Sequence, residues 1–407
     1  MDKIELLAPA GSLEKLKTAI LFGADAVYCG GLNFGLRAGA DNFTLAELKE
    51  GINYAHNRAK KVYLTMNMIP HNEELAELPQ YIDKLKTLDI DALIISDPGV
   101  MALVREKMPE MALHISTQAN NVNWASALFW AEQGAERIIL ARELSFDEIK
   151  DIAEKTKGKV ELEAFVHGAM CISYSGRCLL SNYFVGRDAN RGDCAQSCRW
   201  KYHLVEEQRP GEYYPIEEND QGTFIMNSRD LNLAEEVPQL IEAGLSSLKI
   251  EGRMKSVHYA ATVVNTYRQI IDQYYADPEN YQAEPELLAE LRKISHRDYT
   301  KGFFYGKPGA EGQRYQSSSY LRTYDFVGVV KQTMPESKEI LLEVRNKIFK
   351  GDILEAAVPG RKSFDLKVDY IINSDGEKVE AAPHPKEKVI IPCSEKVEKG
   401  SLLRREK

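Results

Sequence analysis

No stretch of this chain approaches the roughly 20 consecutive apolar residues that a bilayer-spanning helix needs, so a helical membrane protein is excluded. The first residues, MDKIELLAPAG, contain no hydrophobic leader core and pass directly into a strand-like run. They predict a cytoplasmic protein with reduced thiols. P-loop, HExxH and GxSxG patterns are all missing, and the Gly30-Gly31 pair is too short for a dinucleotide fingerprint. An excess of basic residues is missing too: the net charge is −9, which does not advertise a nucleic-acid-binding domain. A local patch could still serve, because residues 168–203 carry Arg177, Arg187, Arg191, Arg199 and Lys201 against only Asp188 and Asp193. On charge alone, an RNA-facing patch and an ordinary solvated loop are equal readings.

Cysteine is scarce, yet four of the six fall between Cys171 and Cys198. Cys171 and Cys178 form a C-x6-C pair, Cys194 and Cys198 a C-x3-C pair, with a Gly/Arg/Asp-rich loop between them. Thiols packed this closely in a chain without export signals point to metal ligation more than to disulfides. With no histidine in the interval, they suit a cysteine-ligated iron–sulfur cluster or zinc. The alternative is buried thiols with a redox disulfide. Cys29 reads as a buried thiol near the end of a strand.

Short apolar runs alternate with amphipathic segments from IELLAP at 4–9 to VELEAFVHG at 160–168. Near-continuous apolar strands are what a parallel sheet covered on both faces requires. After strand seven the pattern breaks, over residues 169–231, into the cysteine cluster and an expected β-hairpin from 202–207 and 223–228. A helix is expected over 232–243, strand eight over 247–253 and a long helix over 256–276. Eight strands with eight helices predict an α/β fold, a TIM-like (β/α)8 barrel with an elaborated loop after strand seven. An open doubly wound sheet is the runner-up. The expected boundaries are a catalytic barrel over 1–278, a helical or linker segment over 279–321, and a small all-β, barrel-like domain over 322–407.

In such barrels the chemistry sits at the C-terminal ends of the strands. That places Arg37, Asn67, Gln118, Arg142 and Glu143 near the rim. Strand seven contributes Glu163 and His167, whose even spacing puts them on one strand face. They read as a general acid/base pair or as a packed, hydrogen-bonded pair. Strand eight contributes Glu251 and Arg253, either an internal salt bridge or a site for a carboxylate ligand. Arg37 and Arg142 are further anion-binding candidates.

The motif E-x-F-x2-G-A-M-C-x3-S-G-x-C-x2-S from Glu163 to Ser181, with LLAPAGS near the start and SLKIEGRMKS at 247–256, resembles the signature of peptidase family U32, the collagenase-like group. Within it the chain is most similar to the tRNA-hydroxylating branch. That resemblance implies a TIM-like domain bearing an iron–sulfur cluster (4Fe–4S), a small C-terminal β domain, and hydroxylation of the wobble uridine of tRNA to 5-hydroxyuridine. It further implies prephenate as a small carboxylate cosubstrate, the tRNA anticodon loop as partner, and room for a paralogous partner subunit. The cluster pattern carries over to Cys171, Cys178 and Cys194. Cys198 is the weaker fourth ligand, since some relatives place the last cysteine near the segment where this chain has Asn232. Glu163, His167 and Glu251 are then the catalytic candidates, and Arg37, Asn67, Gln118, Arg142 and Arg253 the binding candidates. Tyr174, Tyr183 and Phe184 offer surfaces on which an unpaired base can stack. A metal-independent or zinc-dependent peptidase, as the family name implies, is the second reading. A zinc-stabilised RNA-binding protein without chemistry is the third.

Overall fold

The structure is a computed structural model that describes residues 3–32, 34–35, 42–171, 173–175, 177–200, 218–219, 222–223, 228–308, 312 and 320–407. It forms two compact units. One comprises Met1–Lys17, Asp25–Met254 and Arg297–Tyr320; the other Thr18–Ala24, Lys255–His296 and Leu321–Lys407.

The first unit contains eight parallel strands: β1 (Glu5–Pro9), β2 (Ala26–Gly30), β3 (Lys61–Met66), β4 (Ala92–Ile95), β5 (Leu113–Ile115), β6 (Arg137–Ile139), β7 (Glu161–Ala169) and β8 (Ser247–Ile250). Each pairs with the next, and β8 pairs with both β7 and β1, so the sheet closes on itself. The barrel is therefore TIM-like, and the pairing of β8 with β1 rules out the open sheet. The strands are short and almost fully buried, which is why their sequences read as unbroken apolar runs.

Helices start where the sequence provides a cap. Thr44 and Glu47 form a capping box at α2 (Leu45–His56), and Ser145 and Glu148 form the expected one at α6 (Phe146–Thr156). Asp97 caps α4 (Pro98–Lys107), whose first residue is the proline that a first helical turn tolerates.

After β7 the chain enters the cysteine segment, with a short helix at Leu180–Val185 and 3-10 turns at Ala189–Arg191 and Ser197–Arg199. A short antiparallel pair, Glu218–Asn219 with Gly222–Thr223, falls between the two expected hairpin strands and reaches only the first residue of the second; residues 202–207 and 224–227 lie outside the described residues. The helix expected over 232–243 covers only Val237–Glu242. Asp230–Asn232 is instead a strand, pairing antiparallel with β7 and parallel with Tyr299–Thr300. Sheet pairing outcompetes local helical periodicity there.

The second unit is built on an antiparallel, curled eight-stranded sheet whose longest strands are Tyr324–Met334 and Glu339–Val344. Its core is aliphatic, with Val327, Val330, Ile340, Leu342, Val344, Leu354, Ile371, Val389 and Ile391 all buried. Alternation along Glu339–Val344 is strict, the signature of a sheet covered on one face. The unit also contains the helix Val257–Ala276. Arg404 is fully buried in it, held by Glu290 at 2.5 Å and by Glu355.

Candidate active site at the barrel mouth

The floor of the barrel is ionic. Glu163 is fully buried, with Lys249 Nζ 2.8 Å from one carboxylate oxygen and Arg137 Nη1 3.2 Å from the other. Arg137 also pairs with Glu5 at 2.5 Å and Glu161 at 2.6 Å. The Tyr63 hydroxyl donates to Glu5 at 2.6 Å, and the Ser247 hydroxyl donates to the same carboxylate. Two buried cations thus face the fully buried Glu163 and the half-buried Glu5, the pairing that low-dielectric burial demands. Burial pushes the Lys249 ammonium below its ordinary range, and Glu163 opposes that shift.

Above this floor lies a cavity of about 160 Å³. Tyr28, Thr65, Asn67, Gln118, Arg142, Phe165, Lys249, Glu251 and Arg253 line its barrel side, and Cys171, Cys178 and Cys194 its loop side. The cavity therefore gathers eight expected site residues, Asn67, Gln118, Arg142, Glu251, Arg253, Cys171, Cys178 and Cys194. Cys198, in the turn Ser197–Arg199, is not in its described lining. Arg37 lies outside the described residues.

Glu163 and His167 do not share a face. The β7–β8 register runs Glu163 to Ser247, Ala164 to Leu248 and Phe165 to Lys249, then skips Val166 and resumes with His167 opposite Ile250. A bulge of this kind adds a residue and inverts the alternation beyond it. Phe165 faces the cavity with Lys249, whereas His167 is turned away, buried, its ring 5.4 Å from that of Tyr299. The bulge leads into Gly168, whose φ is +113° and whose missing Cβ would lie 2.5 Å from the Glu251 carbonyl oxygen. Only glycine lets β7 and β8 approach this closely.

Glu251 sits at the end of β8, its carboxylate accepting from the Gly252 amide at 2.8 Å and lying 3.1 Å from the Tyr28 hydroxyl. Arg253 is buried and donates to Asn42 Oδ1 at 2.9 Å and Thr65 Oγ1 at 3.4 Å. It leaves no room for a side chain at Gly30, whose Cβ would lie 2.1 Å from the guanidinium. Lys249, which sequence reasoning passed over, lines the cavity with its ammonium 4.5 Å from the centre of the Tyr28 ring, a cation–π distance. The available signal was its place in SLKIEGR, two residues before Glu251 and so on the same strand face.

Arg142 bridges barrel and loop. It donates to the Ala169 carbonyl at 2.6 Å, Ser175 Oγ at 2.6 Å and Cys171 Sγ at 3.2 Å. Burial alone would depress its guanidinium; the neighbouring Cys171 and Glu143 reverse the shift upward. Cys194 Sγ accepts from the Gln196 amide at 3.3 Å. Asn120, in the left-handed region, ties the loop to the end of β5 by donating to the Ser175 carbonyl and accepting from Arg177. Arg187 pairs with Asp193, and Arg191 with Glu74. Part of the basic patch read from the sequence is thereby neutralised.

The donor set fits a thiolate-ligated cluster in kind. Three cysteines share one cavity, and two of their sulfurs accept N–H bonds of the type that orient and tune such centres. Among the described residues, no three His, Cys, Asp or Glu side chains are drawn to metal-ligating distance. Cys29 is buried beside Arg253, its thiol pushed up to about 12 by desolvation, and it is not among the residues that line this cavity. Among the described residues, no helix is long and apolar enough to cross a membrane.

Comparisons place the chain among known proteins. It is 44% identical over 405 residues to tRNA hydroxylation protein P1 of Bacillus subtilis, covering 100% of this chain and 95% of that one. It is 38% identical to tRNA hydroxylation protein P of Escherichia coli, covering 99% of this chain and 96% of that one. It is 36% identical over 316 residues to the 23S rRNA 5-hydroxycytidine C2501 synthase of E. coli, covering 76% of this chain and 46% of that one. The model of peptidase family U32 matches residues 11–314 and that of the family's C-terminal domain residues 322–404. With both of its parts matched, the chain belongs to peptidase family U32.

Proposed function

We propose that this protein is a cytoplasmic RNA-hydroxylating enzyme that converts the wobble uridine of tRNA to 5-hydroxyuridine. The single observation that carries the reading is the convergence of Cys171, Cys178 and Cys194 with Arg142, Glu251 and Arg253 on one cavity. The relatives named for tRNA hydroxylation and for 5-hydroxycytidine synthesis in rRNA support the reaction class.

In this reading Cys171, Cys178 and Cys194 hold an iron–sulfur cluster, with Cys198 the fourth ligand if the loop closes on it. Such a cluster would supply redox capacity beside the cavity. The protein's own groups do the rest. Arg142 and Arg253 give the cavity a surplus of positive charge over Glu251, because Glu163 already offsets Lys249. That surplus suits a carboxylate cosubstrate such as prephenate, whose two carboxylates two guanidinium forks can hold. Glu251, hydrogen-bonded and close to Tyr28, is placed to hold or accept a proton. Tyr174, Tyr183 and Phe184 are exposed on the cysteine segment, where an unpaired base can stack.

Peptide hydrolysis would instead use Cys171 as a nucleophile beside Arg142. A cysteine nucleophile needs a base, and no histidine stands in the described lining of the cavity. Anaerobic purification followed by the visible spectrum and iron, sulfide and zinc assays distinguishes the readings. The hydroxylase reading expects a brown protein whose absorption is lost in Cys171→Ala; a colourless protein containing zinc or no metal rejects it.

A further inference from the structure

A second cavity, of about 730 Å³, shares Cys171, Ser173 and Tyr174 with the first as a common wall. It falls within the range of about 300–1,000 Å³ typical of ligand sites, while the barrel-mouth cavity is several times smaller. Its other walls include the start of α6, Ser228, Arg229 and the segment 300–308.

Glu143, Ser228 and Arg229 are among its wall residues, and Glu143 Oε2, Ser228 Oγ and Arg229 Nε are buried behind that wall with no hydrogen-bond partner among the described residues. Buried polar atoms are ordinarily satisfied, so the carboxylate and the guanidinium of this wall keep hydrogen-bonding capacity unused within the protein. Glu148, on the same wall, is already engaged by the backbone and hydroxyl of Ser145. The cavity also has aromatic surface, Tyr174 and Phe303, and a cation at its edge, Lys307.

This set matches an unpaired pyrimidine nucleotide. The imide edge of uracil presents an N–H between two carbonyl oxygens. Glu143 offers an acceptor for the N–H, and the guanidinium of Arg229 offers donors for the oxygens. The aromatic rings offer a stacking face and Lys307 a phosphate contact. Resting on the RNA-hydroxylation reading, we propose that the second cavity receives the extruded uridine, while the smaller barrel-mouth cavity holds the carboxylate cosubstrate. The two reactants then meet across the Cys171–Tyr174 wall. Extrusion of a target base into a shaped pocket is the general solution for chemistry on a nucleobase.

The test uses the full-length, anaerobically prepared protein and an RNA stem-loop bearing one 4-thiouridine in its loop. Photocrosslinking followed by peptide mass spectrometry is expected to place the crosslink on peptides containing Arg229 or Phe303, which line the second cavity and not the first. Arg229→Gln is expected to weaken stem-loop binding about tenfold, the effect of removing one partner of a buried hydrogen bond, with Arg229→Lys intermediate and the visible spectrum unchanged. A crosslink confined to barrel-mouth residues such as Asn67 or Gln118, or unaltered binding by folded Arg229→Gln, overturns this site and leaves the proposed function standing. Failure of the wild-type protein to bind the stem-loop removes both. Because the crosslink is read on wild-type protein, the result survives any folding defect in the variants.

Discussion

Arg142 donates from Nη2 to the sulfur of Cys171 at 3.2 Å. One side chain from the end of β6 thereby fixes the first cysteine of the loop against the barrel, with Ser175 as a second anchor. Outer-shell donors of this kind commonly govern metal retention by about 10–100-fold. Arg142→Gln is expected to lose iron to a chelator about that much more readily than wild type, at unchanged thermal stability. Timed chelation followed by absorption is the check; equal loss rates would reduce Arg142 to a packing role.

Glu163 lies in the buried ionic floor of the barrel. Removing one partner of a buried ion pair costs about 3–5 kcal/mol because the other charge is stranded. Glu163→Ala is expected to lose stability on that scale in urea unfolding, since it strands Lys249, while Arg137 keeps Glu5 and Glu161. Glu251→Gln, in the lining of the barrel-mouth cavity, is expected to lose activity with little loss of stability. The reverse pattern would move the catalytic carboxylate to the floor.

Gly168 is a conformational test of the β7 bulge. Alanine there meets both a positive φ and the Glu251 carbonyl. Strain of this kind costs about 1–3 kcal/mol. Gly168→Ala is expected to lower stability by that amount and to impair turnover by displacing Glu251. A variant with wild-type stability and kinetics would show that the two strands do not need this close approach.

His258, in the second unit, is buried against Phe326, and desolvation followed by the charge of Arg404 pushes it down to about 3 from its ordinary 6.5. Between those values the unfolded chain takes up a proton that the folded chain refuses, so stability falls as pH falls through this window. The slope is about 1.4 kcal/mol per pH unit from this group. His258→Phe is expected to flatten the difference between urea midpoints at pH 7 and pH 4.5 relative to wild type. An unchanged difference would mean that His258 protonates freely in the folded state.

Much of the barrel was legible because parallel strands buried on both faces read as apolar runs, and because Ser145 with Glu148 announces a helix start. The C-terminal sheet was legible through the alternation around Glu339–Val344. His167 was misplaced because counting by twos assumes an unbroken ladder, and the extra residue at Val166 exists only in the pairing with β8. The strand Asp230–Asn232 was missed, and Asn232 taken as a helix start, because its strand character comes from β7 and Tyr299, distant in sequence. Lys249 was overlooked because a lysine inside a barrel strand looks anomalous until Glu163, Tyr28 and Phe165 are seen around it. The gathering of Cys171, Cys178 and Cys194 was visible in their spacing; the company of Arg142 and Arg253 required the closed barrel.

The central claim is tested most directly by nucleoside mass spectrometry of tRNA from a bacterial host deleted for its own tRNA-hydroxylating enzymes and supplied with this gene. The account predicts that wild-type protein restores 5-hydroxyuridine at the wobble position, and that Cys171→Ser, expressed at the same level, does not. Folded wild-type protein that leaves wobble uridine unmodified, or a Cys171→Ser variant that restores it fully, would contradict the account.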